Sequence, residues 1–134
     1  MKFAFSFILT LIVAFGYAQG PQESFDAGCD CWTVINHFDN GQVSSKHTEN
    51  AARKKHGEAA TYNANGNLIR QEHWNNGKLH GTSTSYHHDG SLYLEANYDH
   101  GNKIGTWIFR DTAGTPTQEI SYSGMSGDAT YSHY

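Results

Sequence analysis

Nine histidines and two cysteines are the residues of this 134-residue chain best equipped for chemistry. The histidines are His37, His47, His56, His73, His80, His87, His88, His100 and His133. Imidazole is a common metal ligand, and its charge changes near neutral pH. A metal site needs its nitrogens about 2.0–2.1 Å from one ion. Strands lie about 4.8 Å apart, so residues in one column a full hairpin apart are about 10 Å from each other. His56 and His80 stand in such a column and cannot share an ion. His87 and His88 are adjacent and point to opposite faces of an extended chain. A cross-strand pair of His73 with His87 or His88 is the remaining combination. The expectation is no metal and no cofactor, with the histidines at turns and surfaces, where they would make partner binding pH-sensitive.

The cysteines form Cys29-Asp30-Cys31. Residues two apart on a strand share a face, but their Cα atoms lie near the upper limit for bridging. A local disulfide, a bond to another chain and two free thiols all stay open. Two sulfurs alone are not a metal site. Ser, His and Asp are all present, but no nucleophile elbow, Cys–His signature or paired-carboxylate spacing is visible. Ser83, Ser85 and Ser91 read as polar faces of strands. The expectation is no enzyme. Alanine at His87, His88 and Asp89 would test that exclusion against any activity found.

The elements that must position these residues begin after a leader. Residues 1–18 carry one basic residue, Lys2, an apolar run from Phe3 to Phe15, and small Gly16 and Ala18 two apart. That is the pattern of a cleaved secretory signal peptide, and the run is shorter than the ~20 residues that span a bilayer. It predicts a secreted, periplasmic or envelope protein starting at Gln19. The whole chain has a formal net charge of −4, and the leader removes one cation. This acidity argues against nucleic acid, which needs clustered Lys and Arg, and against docking on anionic lipid. The one basic knot, Arg53-Lys54-Lys55-His56, reads as a solvated loop. Few aliphatics and many aromatics suggest a thin structure in which each aromatic buries about 150–250 Å².

Residues 19–31 lack any period and read as an unstructured or edge-covering arm. Cys31 to Phe38 is β-branched and aromatic, Asp39-Asn40-Gly41 marks a turn, and Gln42 to Thr48 can return as a second strand. Residues 49–55 are the one helix-tolerant stretch, too short to be stable alone, and read as a loop inserted at 49–56. From Gly57 a 24-residue period appears. Gly57, Gly81 and Gly105 keep it, as do Gly66, Gly90 and Gly114. Trp74, Tyr98 and Tyr122 form an aromatic column, and so do Tyr62 and Tyr86. Gly77 matches Gly101, and Leu68 matches Leu92.

Each unit reads as strand, turn, strand, turn. Asn65-Gly66 and Asp89-Gly90 predict two-residue hairpin turns with positive φ at both positions. Asn76-Gly77 and His100-Gly101 close the other end. Alternation places Leu92, Leu94, Ala96 and Tyr98 on one face, with Leu68, Arg70, Glu72 and Trp74 equivalent. Gly105-Thr-Trp107-Ile-Phe109 is the most apolar strand. The aromatic columns are first of all ladders that hold register. Positions that differ between units are the candidate binding surface: His87, His88, Arg110 and the insertion at 49–56.

These landmarks follow the pattern Gly-x-Trp-x-x-Tyr-x-x-x-Gly-x-Leu, then an aromatic and x-x-Gly-Lys. They appear as Gly81, Ser83, Tyr86, Gly90, Leu92, Tyr98, Gly101 and Lys103, with Tyr62, Gly66, Leu68, Trp74, Gly77 and Lys78 before them. Gly105, Trp107, Gly114 and Tyr122 come after. The chain resembles the variant MORN repeat over roughly residues 32–122. Ser83 in place of Trp, Arg110 in place of Tyr and the stretch 42–56 depart from the pattern. The resemblance implies an all-β fold, an elongated twisted antiparallel sheet of tandem hairpins, with residues 123–134 as a tail or degenerate cap. It implies an exported, non-catalytic scaffold that binds a protein. An antitoxin or immunity protein is the alternative that it also implies. Membrane binding is implied by the family name alone, and open sheet edges would admit a homodimer.

Overall fold

The computed structural model describes residues 20–123 and 128–134. The leader read at 1–18 lies outside them. Every regular element among the described residues is a strand: β1 Gln22–Asp26, β2 Cys31–His37, β3 Val43–Asn50, β4 Lys55–Tyr62, β5 Leu68–Asn75, β6 Lys78–Leu79, β7 Gly81–Tyr86, β8 Leu92–Asp99, β9 Asn102–Arg110, β10 Pro116–Tyr122 and β11 Ala129–His133. They make one antiparallel sheet in chain order, with β6 and β7 both on β5. β1 and β11 are its two edges. The fold is the all-β sheet of tandem hairpins that the 24-residue period predicts.

Two turn chemistries alternate. Asn76-Gly77 and His100-Gly101 have φ of 50 and 83°, and 49 and 89°. Both central residues are left-handed, as a two-residue turn matched to strand twist requires. The opposite ends differ from the expectation. At Asn63–Gly66 and His87–Gly90 the glycine N–H donates to the carbonyl three residues back, and the glycine alone is left-handed. These are type I turns closed by a glycine bulge. The Asn63 side chain selects this form by accepting from the N–H groups of Asn65 and Asn67, both at 3.0 Å. Asp111 does the same for Ala113 and Thr115.

A bulge follows each such turn. Tyr86 pairs with Leu92 and Ser85 with Leu94, so Tyr93 is unpaired; Ile69 is left over in the same way. The extra residue moves Leu92 and Leu68 to the face opposite Leu94 and Arg70, which corrects the alternation read from the strands. A second slip recurs in the pairing around Gly57, Gly81 and Gly105, where φ is 89, 94 and 63°. The period-24 glycines are therefore bulge residues.

The arm and the insertion also resolve into strands. β1 pairs along its length with β2. It is exposed throughout, so no apolar alternation marks it; ladder hydrogen bonds hold it, helped by Phe25 against Trp32 and by Glu23 to Arg53. Residues 49–55 end β3, turn at Asn50–Arg53 and begin β4. The Asn50 side chain caps that turn through Ala52 and Lys54 N–H. Arg53 takes the left-handed position, φ 58°, that Gly41, Gly66, Gly90 and Gly114 take in the corresponding turns. Within the tail, β11 pairs with β10.

The core is one residue wide. Pairing registers put Val34, His47, Ala59 and Glu72 in one row across the strands, continued by Ser83, Ala96, Trp107 and Ile120. Val34, Ala59, Ser83, Ala96 and Trp107 are the buried residues of the described chain, Ala96 at 1% exposure. Tyr98 and Tyr122 flank Trp107, with ring centroids 5.1 and 5.0 Å away. Cations cover the aromatics: Arg53 lies over Trp32 at 4.7 Å, Lys55 over Trp74 at 4.8 Å and Lys103 over Trp107 at 4.8 Å. Such stacking adds to burial where the cation sheds water.

Burial, and secondarily the charge of Glu72, raises the Tyr98 phenol above 10.0. The folded state thus holds this proton more tightly than the unfolded chain. Its contribution to stability is intact below pH 10 and is lost as pH rises through the folded-state value. Urea midpoints measured across alkaline pH are expected to fall less steeply for Tyr98→Phe than for the parent chain.

Candidate functional site

The hairpin ends that carry the four-residue turns hold the residues that vary between units. His87 Nε2 lies 2.8 Å from the Arg110 carbonyl oxygen, one unit along the chain. The His87 ring meets Tyr93 edge-on at 4.9 Å, and Tyr93 meets Phe109 at 5.7 Å. His88 lines an adjacent groove of about 630 Å³, with Asn63, Ile69, Tyr86 and Tyr93 among its other walls. His87, His88 and Arg110, singled out in the sequence, thus lie at the same end of neighbouring hairpins. The bulges explain why Ile69 and Tyr93 join them, since a bulge re-aims a side chain.

The groove is polar as well as aromatic. The Asn63 side-chain nitrogen is buried with no hydrogen-bond partner among the described residues, because its oxygen is committed to the turn. Nearby, Asp89 accepts from the Ser91 hydroxyl at 2.6 Å and the Ser91 N–H at 2.9 Å. The Ser91 hydroxyl first, and then the backbone N–H, hold the Asp89 carboxyl below 3.8, so it is an anion at neutral pH. Tyr93 is 41% exposed and completes an aromatic rim.

Other expectations change. His73 does not meet His87 or His88; its Nδ1 is 2.9 Å from the Thr82 carbonyl and its Nε2 3.5 Å from Glu58. The insertion at 49–56 lies at the other hairpin end, where Arg53 bonds Glu23 at 2.5 Å and Glu49 at 3.1 Å. It holds the first edge strand instead of joining the groove. Cys29 and Cys31 form a disulfide with a Cα separation of 5.2 Å. Cys29 lies in the β1–β2 turn and not on a strand, so the spacing argument from an extended chain does not apply. Tyr62, Leu68 and Ala60 line a second groove of about 330 Å³ on the face opposite the buried row.

One cluster is absent from the sequence reading. At the two-residue turns, His80, Asp99 and His100 converge, with one ligand-type atom of each within 4.8 Å of the others. Its signal was a histidine about 20 residues before an Asp-His pair at a turn, and only the turn geometry gives that spacing meaning.

Comparison with curated proteins returns no match. The family model described as the MORN repeat variant matches residues 55–76 and again 79–100. The match is narrower than the span 32–122 suggested by the columns, although β9 and β10 continue the same pairing beyond it. Each matched stretch covers one hairpin, from the bulge glycine through the type I turn to the two-residue turn. Residues 55–76 and 79–100 thus match the variant MORN repeat in tandem, each on one hairpin of a sheet that continues beyond them on both sides.

Proposed function

We propose that this protein is an exported, non-catalytic repeat scaffold that binds a protein partner at or outside the cell envelope. The observation that carries this reading is the groove at His88 and Tyr93, with its aromatic rim. A single-layer sheet supports it, because a core one residue wide leaves most of both faces free for contact. Aromatic side chains in a partly polar setting are the usual anchors of protein interfaces. The leader at residues 1–18 supports export, and the acidic balance favours a protein over a nucleic acid.

Affinity capture tests the reading, with the chain from Gln19 onward as bait against the envelope fraction of the source cell. A partner bound by the parent chain and lost with His88→Ala/Tyr93→Ala supports it. Recovery of the same proteins by both baits would sink the groove as the interface. N-terminal sequencing of the exported chain checks the leader, with Gln19 expected first.

A further inference from the structure

We propose that His80, Asp99 and His100 form a surface binding site for a borderline divalent cation of the zinc type. His80 sits at the break between β6 and β7, Asp99 ends β8, and His100 is the first central residue of the next turn. His80 Nδ1 lies 3.2 Å from Asp99 Oδ1, and His100 Nδ1 lies 2.5 Å from the same oxygen. The two rings meet edge-on at 4.7 Å. Gly101 N–H donates to the Leu79 carbonyl at 2.8 Å and fixes this turn against the strand that leads to His80.

The lone pairs are what call for a cation. His80 Nδ1 accepts only a long bond from the backbone N–H of His100, at 3.5 Å, so in that tautomer its one lone pair, and no proton, lies beside the Asp99 carboxylate, and a cation at this nitrogen would replace that weak bond. One cation shared by both imidazoles and the carboxylate satisfies all three groups. The donor set is two nitrogens and one oxygen, which suits zinc and its neighbours and not the hard, all-oxygen cations. Bonds of about 2.0–2.2 Å require the His100 ring to swing outward slightly, and its exposed side chain permits this. Water would complete the shell, as in open three-ligand zinc sites.

The preceding unit is an internal control. Asn76 N–H donates to His56 Nδ1 at 3.4 Å, the same backbone hydrogen bond in the same frame. There, Asn75 and Asn76 stand where Asp99 and His100 stand, and the Asn76 side chain is bonded to Asn50 at 2.7 Å. One unit later, Ile104 and Ser123 replace His80 and Asp99. The frame recurs, but the donor set occurs once.

The test is titration of the tag-free chain with Zn²⁺ by calorimetry, and with Co²⁺ by visible absorption. One equivalent is expected to bind. Asp99→Asn/His100→Asn restores the residues of the preceding unit and keeps a side chain tolerant of the left-handed turn. It is expected to weaken binding by about 10-fold or more, on the scale of losing metal-supporting groups. His80→Ala is expected to do the same, while His56→Ala leaves affinity unchanged. Unaltered circular dichroism checks folding of each variant. Absence of Zn²⁺ binding by the parent chain would overturn the proposal, as would equal binding by the double variant and by His80→Ala.

Discussion

Replacing Trp107 by alanine is expected to lower the unfolding free energy by about 3–5 kcal/mol, the range for removing a large buried aromatic. Trp107 is the largest side chain in the buried row, 7% exposed. Its ring lies tilted between those of Tyr98 and Tyr122, and its indole N–H donates to the Asn97 carbonyl at 3.1 Å. Alanine leaves a void between two tyrosines and strands Lys103, which lies over both Trp107 and Tyr122. Urea denaturation followed by circular dichroism measures the loss. Phenylalanine at 107 is expected to recover most of it, because it keeps an aromatic ring between the two tyrosines and gives up the hydrogen bond and the smaller part of the buried area. A loss below about 1 kcal/mol, the size of an ordinary surface change, would show that this row is not the core.

The second large effect is expected from Gly57→Ala, at about 1–3 kcal/mol for the left-handed backbone, with a further loss from crowding. A Cβ at Gly57 would lie 2.8 Å from Thr48 Oγ1. That hydroxyl donates to the His56 carbonyl across the bulge, so it can retreat only by giving up its hydrogen bond. Gly105 is the matching position two units on. Its φ is 63°, and a Cβ there meets nothing within 4 Å. Gly105→Ala is therefore expected to cost clearly less than Gly57→Ala when both are measured by the same denaturation. Equal costs would mean that backbone strain alone matters at these bulges.

The period and the strands were legible because glycine and aromatic columns repeat wherever the backbone needs them. Tyr98, Trp107 and Tyr122 lie together as the columns imply. What the columns conceal is their local cause. Asn65-Gly66 suggests a two-residue turn, but Asn63, three residues before the glycine, captures two backbone N–H groups and makes the longer loop. Leu92 and Leu94 look like one apolar face until Tyr93 is left unpaired between them. β1 was invisible because a fully exposed edge strand has no buried side to write a period. At the candidate groove, His87, His88 and Arg110 were found by asking what varies between units. Tyr93 was missed because its direction depends on the bulge. The His80–Asp99–His100 cluster needed a left-handed histidine at a turn tip, and no linear pattern encodes that fold-back.

Strand pairing runs only between neighbours, and neither edge meets the other. A closed barrel fixes its strand number through its radius, so a hairpin cannot be added without remaking the whole. This sheet has no such closure condition. Each further unit would extend it by two strand spacings, about 10 Å, while leaving the geometry of the others intact. Reach is therefore a quantity that duplication or loss of a 24-residue unit can set independently of what any one unit binds.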